Sequence, residues 1–287
     1  MEKTLAKGLI VLEALAQAGG PCGVSDLAAS LGISKSNTHR LLNTLVATGF
    51  ASTVDGRYAP SLKVWELGTK VIDGFDVREL ARPAMTRLVR ETAESVRLTV
   101  LDPKSLEVIY IDKIDSPQDV RTFTEIGGRA PAHCTSSGKV MLAYQDDAVL
   151  RRIARKLKAF TPSTIVDAAE LLRHLKKVRA SGYALNQREY SPQVAGVAAP
   201  ILDGEGRAVA ALSIAAPADR LPAARLKQVT VMICAAAASV SARMRPGSTS
   251  VVQLSARIAQ LRGRKTKPST NGTTVPMART KRRTSKE

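Results

Sequence analysis

Two short helical segments joined by a glycine turn constrain the fold of this chain more than any other feature. Residues 25–48 carry apolar side chains three or four positions apart on both sides of Gly32. Glycine suits the positive φ that ends a helix, and the hydroxyls of Ser25 and Ser34 are placed to cap the two helix N-termini. The pattern predicts a helix-turn-helix, whose second helix enters the DNA major groove.

The second predicted helix carries a polar face suited to DNA. Arginine and asparagine side chains hydrogen-bond guanine and adenine edges, whereas lysine and serine suit phosphates. The alternative is a solvated face in an ordinary α-helical domain, because two amphipathic helices joined at a glycine occur in many such domains. The predicted DNA contacts in this segment are Ser34, Lys35, Ser36, Asn37, His39, Arg40 and Asn43.

The flanking segments extend this pattern to a winged helix-turn-helix. A helical apolar pattern covers residues 5–16, and residues 49–59 predict a β-hairpin around Asp55-Gly56, a dipeptide typical of tight hairpin turns. Arg57 follows the turn, so we expect it near the wing tip, in contact with a phosphate or the minor groove. The alternative for Arg57 is a solvated turn residue.

The rest of the chain mixes helical and strand patterns, which predicts an α+β domain with helices on the faces of a sheet. A linker helix is expected from Leu62, with a bend at Gly74 because glycine interrupts helices. The predicted strands are 96–101, 108–112, 120–124, 183–186, 197–202 and 208–215, and the predicted helices are 78–93, 135–144, 148–157, 168–180 and 221–243.

Several motifs in the same order make the chain similar to the IclR family of bacterial transcription regulators. They are Leu-Gly-Ile-Ser-Lys-Ser-Asn-Thr-His-Arg-Leu-Leu at 31–42, Gly-Gly-Arg-Ala-Pro-Ala-His-Cys-Thr-Ser-Ser-Gly-Lys at 127–139 and Gly-Val-Ala-Ala-Pro-Ile at 196–201. The resemblance implies a GAF-like effector-binding domain after the linker. The expected organisation is a winged helix-turn-helix DNA-binding domain at 1–60, a linker helix at 61–76, a GAF-like effector-binding domain at 77–245, and a C-terminal helix end with a disordered basic tail at 246–287.

The resemblance also implies the position of a ligand site. The hydroxyls of residues 135–137 open a predicted helix, where they either bind an anion or act as ordinary N-caps. In the family this loop and two late strands line the effector site. Several relatives carry an acid where this chain has Asn186 and a cysteine where it has Gly196, so we expect a bulkier or less polar effector, an organic acid or an aromatic metabolite. The implied effector contacts are Ala130, Ser136, Ser137, Asn186, Gly196, Ser213 and Ala215.

Length and composition exclude other classes of protein. A chain of 287 residues with 44% apolar residues predicts two domains with real cores. The sequence contains no run of about 18 apolar residues, so we expect no membrane span. The first residues show no pattern of a secretory signal. Cys22, Cys134 and Cys234 form neither a disulfide nor a metal pattern. We therefore expect a cytoplasmic protein without a cofactor or a metal.

The net charge of +18 is not concentrated in the helix-turn-helix segment. Residues 1–60 contain five basic and four acidic residues, whereas residues 262–287 contain nine basic residues and one acidic residue. That tail has almost no large apolar side chains, so we expect it to be disordered and to add nonspecific affinity for phosphates. The alternative is a solvated charge run that only aids solubility.

Two other classes of function stand beside a sequence-specific regulator. An enzyme would use His133 and Cys134, but neighbouring side chains on an extended segment point in opposite directions and make no dyad. A nucleoid-type protein would bind DNA of any sequence, whereas a regulator must prefer its own site by a large factor. The sequence predicts a homodimer or homotetramer that binds a pseudo-palindromic operator in response to a small molecule, with no catalytic residues.

Overall fold

The computed structural model describes residues 2–72 and 76–244. The expected bend at Gly74 and the predicted tail beyond residue 246 lie outside the described residues. The N-terminal part, called the head below, consists of three helices followed by a β-hairpin, as the sequence predicts. Its elements are α1 (Lys3–Gln17), α2 (Val24–Leu31), α3 (Lys35–Ala47), β1 (Ala51–Val54) and β2 (Arg57–Pro60).

The turn between α2 and α3 forms at Gly32, which has a φ of 62° and donates its N–H to carbonyls of the last turn of α2. The expected cap at Ser25 is wrong, because α2 begins at Val24, two residues earlier than expected, and Gly23 occupies the N-cap position. Ser34 is the N-cap residue of α3, but its hydroxyl makes no capping hydrogen bond. Backbone geometry therefore sets both helix starts without help from a serine side chain.

The head encloses a small core of its own. Thr38 is fully buried there, and its hydroxyl donates to the carbonyl of Ser34 at 3.1 Å, which satisfies a polar group at a core position. The hairpin turns at Asp55 and Gly56, whose φ angles of 52° and 72° match a turn that requires two positive values. The buried apolar residues of this core are Val11, Leu15, Leu27, Leu41, Leu42, Leu45, Ala51 and Tyr58.

The C-terminal part is a six-stranded antiparallel sheet with helices on both faces. Its strands lie side by side in the order β5 (Arg129–Pro131), β4 (Glu107–Ile114), β3 (Ser95–Asp102), β8 (Ala208–Pro217), β7 (Val194–Leu202) and β6 (Ala184–Gln187). The chain enters it through α4 (Leu62–Ile72) and α5 (Asp76–Thr92). The remaining α-helices of this part are α6 (Ser136–Leu142), α7 (Asp147–Ala154), α8 (Ala168–Ser181) and α9 (Ala223–Ser241), and short 3-10 helices cover Ala132–Cys134 and Ala218–Arg220.

Each face of the sheet carries its own apolar layer, since side chains alternate along a strand. Val197 packs with α5 and α9 on one face, whereas its neighbour Ala198 packs with α6 and α8 on the other. Among the described helices, α9 alone has the length and apolar composition that a membrane span requires. Six of its 19 residues, including Val229 and Ile233, are buried in the protein, so one face of the helix packs against the sheet.

The strand predicted at 120–124 is wrong, because these residues form a loop without a backbone ladder. Val120 and Phe123 are 70% and 80% exposed, so the segment lacks the buried face that an alternating strand needs. Side-chain bonds fix the loop instead: the hydroxyl of Thr122 donates to the carbonyl of Ala215 at 3.2 Å. The neighbour of β4 is the three-residue strand β5, which was too short to predict.

Candidate DNA interface and effector cavity

The outer face of α3 presents most of the predicted DNA contacts to solvent. Leu41, Leu42 and Leu45 bury the opposite face in the core of the head. This anchoring leaves a row of polar side chains outside, which is the arrangement that a helix in the major groove needs. Asn37 is half-buried, and the exposed predicted contacts are Ser34, Lys35, Ser36, His39, Arg40, Asn43 and Arg57.

Three of these side chains already have partners within the head. Arg40 donates from Nη2 to Oδ1 of Asn37 at 3.2 Å, so Asn37 orients the guanidinium. Oδ1 of Asn43 accepts from the hydroxyl of Tyr58 on the hairpin at 3.3 Å, which leaves the amide nitrogen of Asn43 for DNA. Arg57 donates from Nε to the carbonyl of Pro21 at 3.1 Å, so this bond competes with the expected phosphate contact.

A cavity of about 240 Å³, called the effector cavity below, lies where strands β3, β4, β6, β7 and β8 meet the start of α6 and the loop at 122–124. Ala130 is not part of its wall: it is 2% exposed and packs in the core between the sheet and α6. A larger groove of about 620 Å³ beside α9 contains none of the predicted residues. Six of the seven predicted effector contacts line the effector cavity, namely Ser136, Ser137, Asn186, Gly196, Ser213 and Ala215.

The wall is held in place by close backbone packing and internal hydrogen bonds. A Cβ atom at Gly196 would lie 2.6 Å from the carbonyl oxygen of Ile214, so a cysteine there requires the two strands to shift. Oδ1 of Asn186 accepts from the backbone N–H of Glu189 at 2.9 Å. The amide nitrogen of Asn186 is therefore the group left to meet a ligand.

The structure adds wall residues that the sequence did not indicate, among them Arg97, Tyr110, Thr122 and Tyr190. Arg97 is 5% exposed, and burial lowers the pKa of its guanidinium. Nη2 of Arg97 donates to the carbonyl of Thr122 at 3.0 Å and also to its hydroxyl. The presence of Asn186 and Gly196 in place of an acid and a cysteine led us to expect a less polar site. Because Arg97 and the hydroxyl of Thr122 also line the cavity, its wall is more polar than expected. The available signal was an arginine inside β3, whose other residues at 96–101 are apolar except for Thr99.

A buried ion pair supports this wall from behind. Lys139 on α6 is fully buried, and its ammonium bonds Oε1 of Glu189 in the loop after β6. The carbonyl of Glu189 accepts from the hydroxyl of Thr164 at 2.6 Å. Burial lowers the pKa of Lys139, and the carboxylate of Glu189 opposes that shift. The pair therefore ties the helix that carries Ser136 to the loop that follows Asn186.

His133 and Cys134 do not form a catalytic dyad. Nε2 of His133 lies 2.9 Å from the carbonyl oxygen of Lys158, and the thiol of Cys134 faces the carbonyl of Pro131 at 3.9 Å. Burial raises the pKa of Cys134 to about 12, so its nucleophilic thiolate is not formed near neutral pH. Within the described ranges, no three His, Cys, Asp or Glu side chains form a group that would hold a metal ion.

Comparisons with known proteins agree with this two-part organisation. The family model described as the IclR helix-turn-helix domain matches residues 4–55, and the one described as the bacterial transcriptional regulator IclR C-terminal matches residues 69–242. The transcriptional repressor IclR of Escherichia coli is 30% identical over 243 residues, which cover 83% of this chain and 89% of that protein. The regulator KdgR of Escherichia coli is 33% identical over 226 residues, which cover 77% of this chain and 85% of that protein.

Solved structures give the same result. The IclR protein of Thermotoga maritima has a TM-score of 0.70 at 28% identity, and the match covers 85% of this chain and 99% of that one. An IclR homolog from Microbacterium hydrocarbonoxydans, complexed with 4-hydroxybenzoate, has a TM-score of 0.72 at 25% identity. That match covers 88% of this chain and all of the homolog, so both parts of the fold are shared.

Proposed function

This chain belongs to the IclR family of bacterial transcriptional regulators, and on that premise we propose that α3 recognises operator bases while the effector cavity binds the small molecule that modulates DNA binding. The effector is an organic acid or an aromatic metabolite. A family relative crystallised with 4-hydroxybenzoate supports this choice, since that ligand is both.

The observation that carries the proposal is the convergence of distant residues on one cavity. Residues of α6, β6, β7 and β8, which are spread over positions 136–215 of the chain, line one cavity of about 240 Å³. Binding sites are concave and combine apolar walls with a few polar groups that fix orientation. Hydroxyls from Ser136, Ser137 and Ser213 supply such groups beside the tyrosine rings of the wall.

The DNA contacts divide by chemistry. Arg40, oriented by Asn37, is proposed to hydrogen-bond base edges, together with the amide nitrogen of Asn43. Lys35 at the start of α3 is proposed to contact phosphate. The other proposed contacts, which position the head on the duplex, are Ser34, Ser36, His39 and Arg57.

A homodimer or homotetramer would place two heads on a pseudo-palindromic operator, because operator symmetry mirrors protein symmetry. Exposed apolar side chains on two helices favour a second copy as the partner. Leu5 and Leu9 on α1 are 63% and 58% exposed, and Leu62 and Trp65 on α4 are 78% and 67% exposed. Burying such a surface between copies removes it from water.

Catalysis is not part of the proposal. His133 and Cys134, the nucleophile–base pair that the sequence suggested, each face a backbone carbonyl instead of each other. Burial raises the pKa of the Cys134 thiol, which keeps it protonated. A cytoplasmic location follows from the proposed partner, chromosomal DNA. A nucleoid-type function is the second candidate, supported by the net charge of +18, and it differs by its lack of sequence preference.

Ser136→Leu tests the coupling between the cavity and DNA. The larger apolar side chain is expected to fill the cavity and abolish the change in operator affinity caused by the effector. Operator affinity without ligand is expected to stay within a few-fold of wild type, because the head is unchanged. Fluorescence titration of operator DNA, with and without small carboxylates including 4-hydroxybenzoate, measures both quantities.

The matched control is Ser163→Leu, which adds the same side chain at an exposed serine outside the cavity. It is expected to respond to effector like the wild type. A normal effector response in Ser136→Leu would place the effector elsewhere and overturn the list of effector contacts.

A further inference from the structure

Arg97 is a buried cation without a carboxylate partner. Lys139 is also buried, but it pairs with Glu189. Arg220 pairs with Glu94 through two hydrogen bonds of 2.7 and 2.8 Å. Arg97 has no acidic group within 4.0 Å among the described residues. Burying a charge without a partner is costly, so its retention at this place needs a reason.

The neighbours of Arg97 do not remove this charge. Thr122 offers a carbonyl and a hydroxyl, and the ring of Tyr110 lies 5.9 Å from the guanidinium carbon. Asp115 favours the charged form of Arg97 from a distance, but its carboxylate is bound to the ammonium of Lys113 at 2.9 Å. All of these neighbours are neutral or already paired.

Arg97 also keeps unused hydrogen-bonding capacity. Both of its side-chain hydrogen bonds leave from Nη2, and within the described residues Nε and Nη1 have no partner. The side chain lines the effector cavity. A guanidinium N–H that donates to a carboxylate oxygen forms a charge-assisted hydrogen bond, and such bonds are short and strong.

The rest of the wall adds no negative charge. Its lining contains no aspartate and no glutamate, whereas Ser136, Ser137 and the amide nitrogen of Asn186 are available as donors. The electrostatic field inside the cavity is therefore set by Arg97. An anionic ligand gains from this field, and a neutral ligand of the same shape does not.

We propose that Arg97 is the anchor of the effector, with the free N–H of Nε or Nη1 donating to a carboxylate oxygen, which makes a small carboxylic acid the ligand class of this cavity. The inference rests on the proposed function, since it assigns the anchoring group of the proposed effector site. The volume of about 240 Å³ restricts the acid to a compact body beside the tyrosine rings.

The test uses acids and their nearly isosteric neutral amides as probes: benzoate and benzamide, 4-hydroxybenzoate and 4-hydroxybenzamide, and lactate and lactamide. Thermal unfolding of the full-length protein is followed with each probe, since a ligand that binds the folded state raises the unfolding midpoint. At least one acid is expected to raise the midpoint of wild type while its amide does not. Arg97→Met is expected to weaken binding of that acid by about tenfold to a hundredfold.

Arg97→Lys keeps the charge but replaces the planar guanidinium with a compact ammonium that donates from a different position, so it is expected to recover part of the acid response. Arg87→Met, which removes an exposed arginine of the same domain, is the control and is expected to leave the response unchanged. The wild-type comparison of acid with amide decides the question even if Arg97→Met does not fold. A wild type stabilised equally by acid and amide, or by no acid at all, overturns the proposal.

The outcomes also separate this inference from the proposed function. If acids and amides bind alike and Ser136→Leu loses both, the cavity remains the effector site and only the role of Arg97 falls. If Ser136→Leu keeps the wild-type response to the acid, the cavity itself is not the effector site.

Discussion

Lys139→Met is expected to lower the free energy of unfolding by about 3–5 kcal/mol, because it leaves the buried carboxylate of Glu189 without its cation. Oε2 of Glu189 is already buried without a hydrogen-bond partner among the described residues, and the other donor to this carboxylate is the neutral N–H of Gln187, which lies 3.4 Å from Oε1. The connection between α6 and the loop after β6 breaks in the same variant. Equilibrium unfolding in urea measures the loss.

Two further variants separate the ion pair from general packing. Lys139→Met combined with Glu189→Leu removes both charges and is expected to recover most of the lost stability, since apolar replacements of a buried pair are often neutral. Arg188→Met breaks the exposed pair with Asp219 and is expected to cost at most about 1 kcal/mol. A Lys139→Met protein as stable as the wild type would show that this pair is not buried as described.

Arg40→Ala is expected to weaken operator binding by about 1–3 kcal/mol and to relax the base preference at one position of the site. The guanidinium is exposed on α3 and is hydrogen-bonded to Oδ1 of Asn37. A loss that differs between operator variants is the mark of a base contact. Binding titrations against operators with single base-pair changes measure it.

Lys35→Ala is the matched comparison on the same helix. It removes a proposed phosphate contact, so it is expected to weaken binding to all sequences alike and to make the salt dependence less steep. If Arg40→Ala binds the operator as tightly as the wild type does, the assignment of α3 as the recognition helix is wrong.

The fold of the head followed from the sequence because its signals are local. The spacing of Leu41, Leu42 and Leu45 and the turn at Gly32 require only neighbours along the chain. The loop at 120–124 was predicted wrongly for the opposite reason. Its position depends on Thr122 bonding Ala215 and Arg97, residues 93 and 25 positions away, and no local pattern reports such contacts.

The same distinction applies to the sites. Resemblance to a family identified six residues that share a cavity, but it did not identify Arg97, which belongs to no motif and is significant only because it is buried without an acid. The sequence also did not predict the hydrogen bonds that Asn43 and Arg57 make within the head. Their partners, Tyr58 and Pro21, reach them only in the folded head.

Recognition of a particular DNA sequence by the head is what separates a regulator from a nucleoid-type protein. A genome-wide binding footprint supplies the operator, and the decisive measurement is the affinity of the full-length protein for that duplex and for a scrambled duplex of equal length, at one salt concentration. We expect a preference on the order of a thousandfold or more for the operator. Equal affinity for the two duplexes would contradict it and would favour a nucleoid-type protein that binds through charge alone.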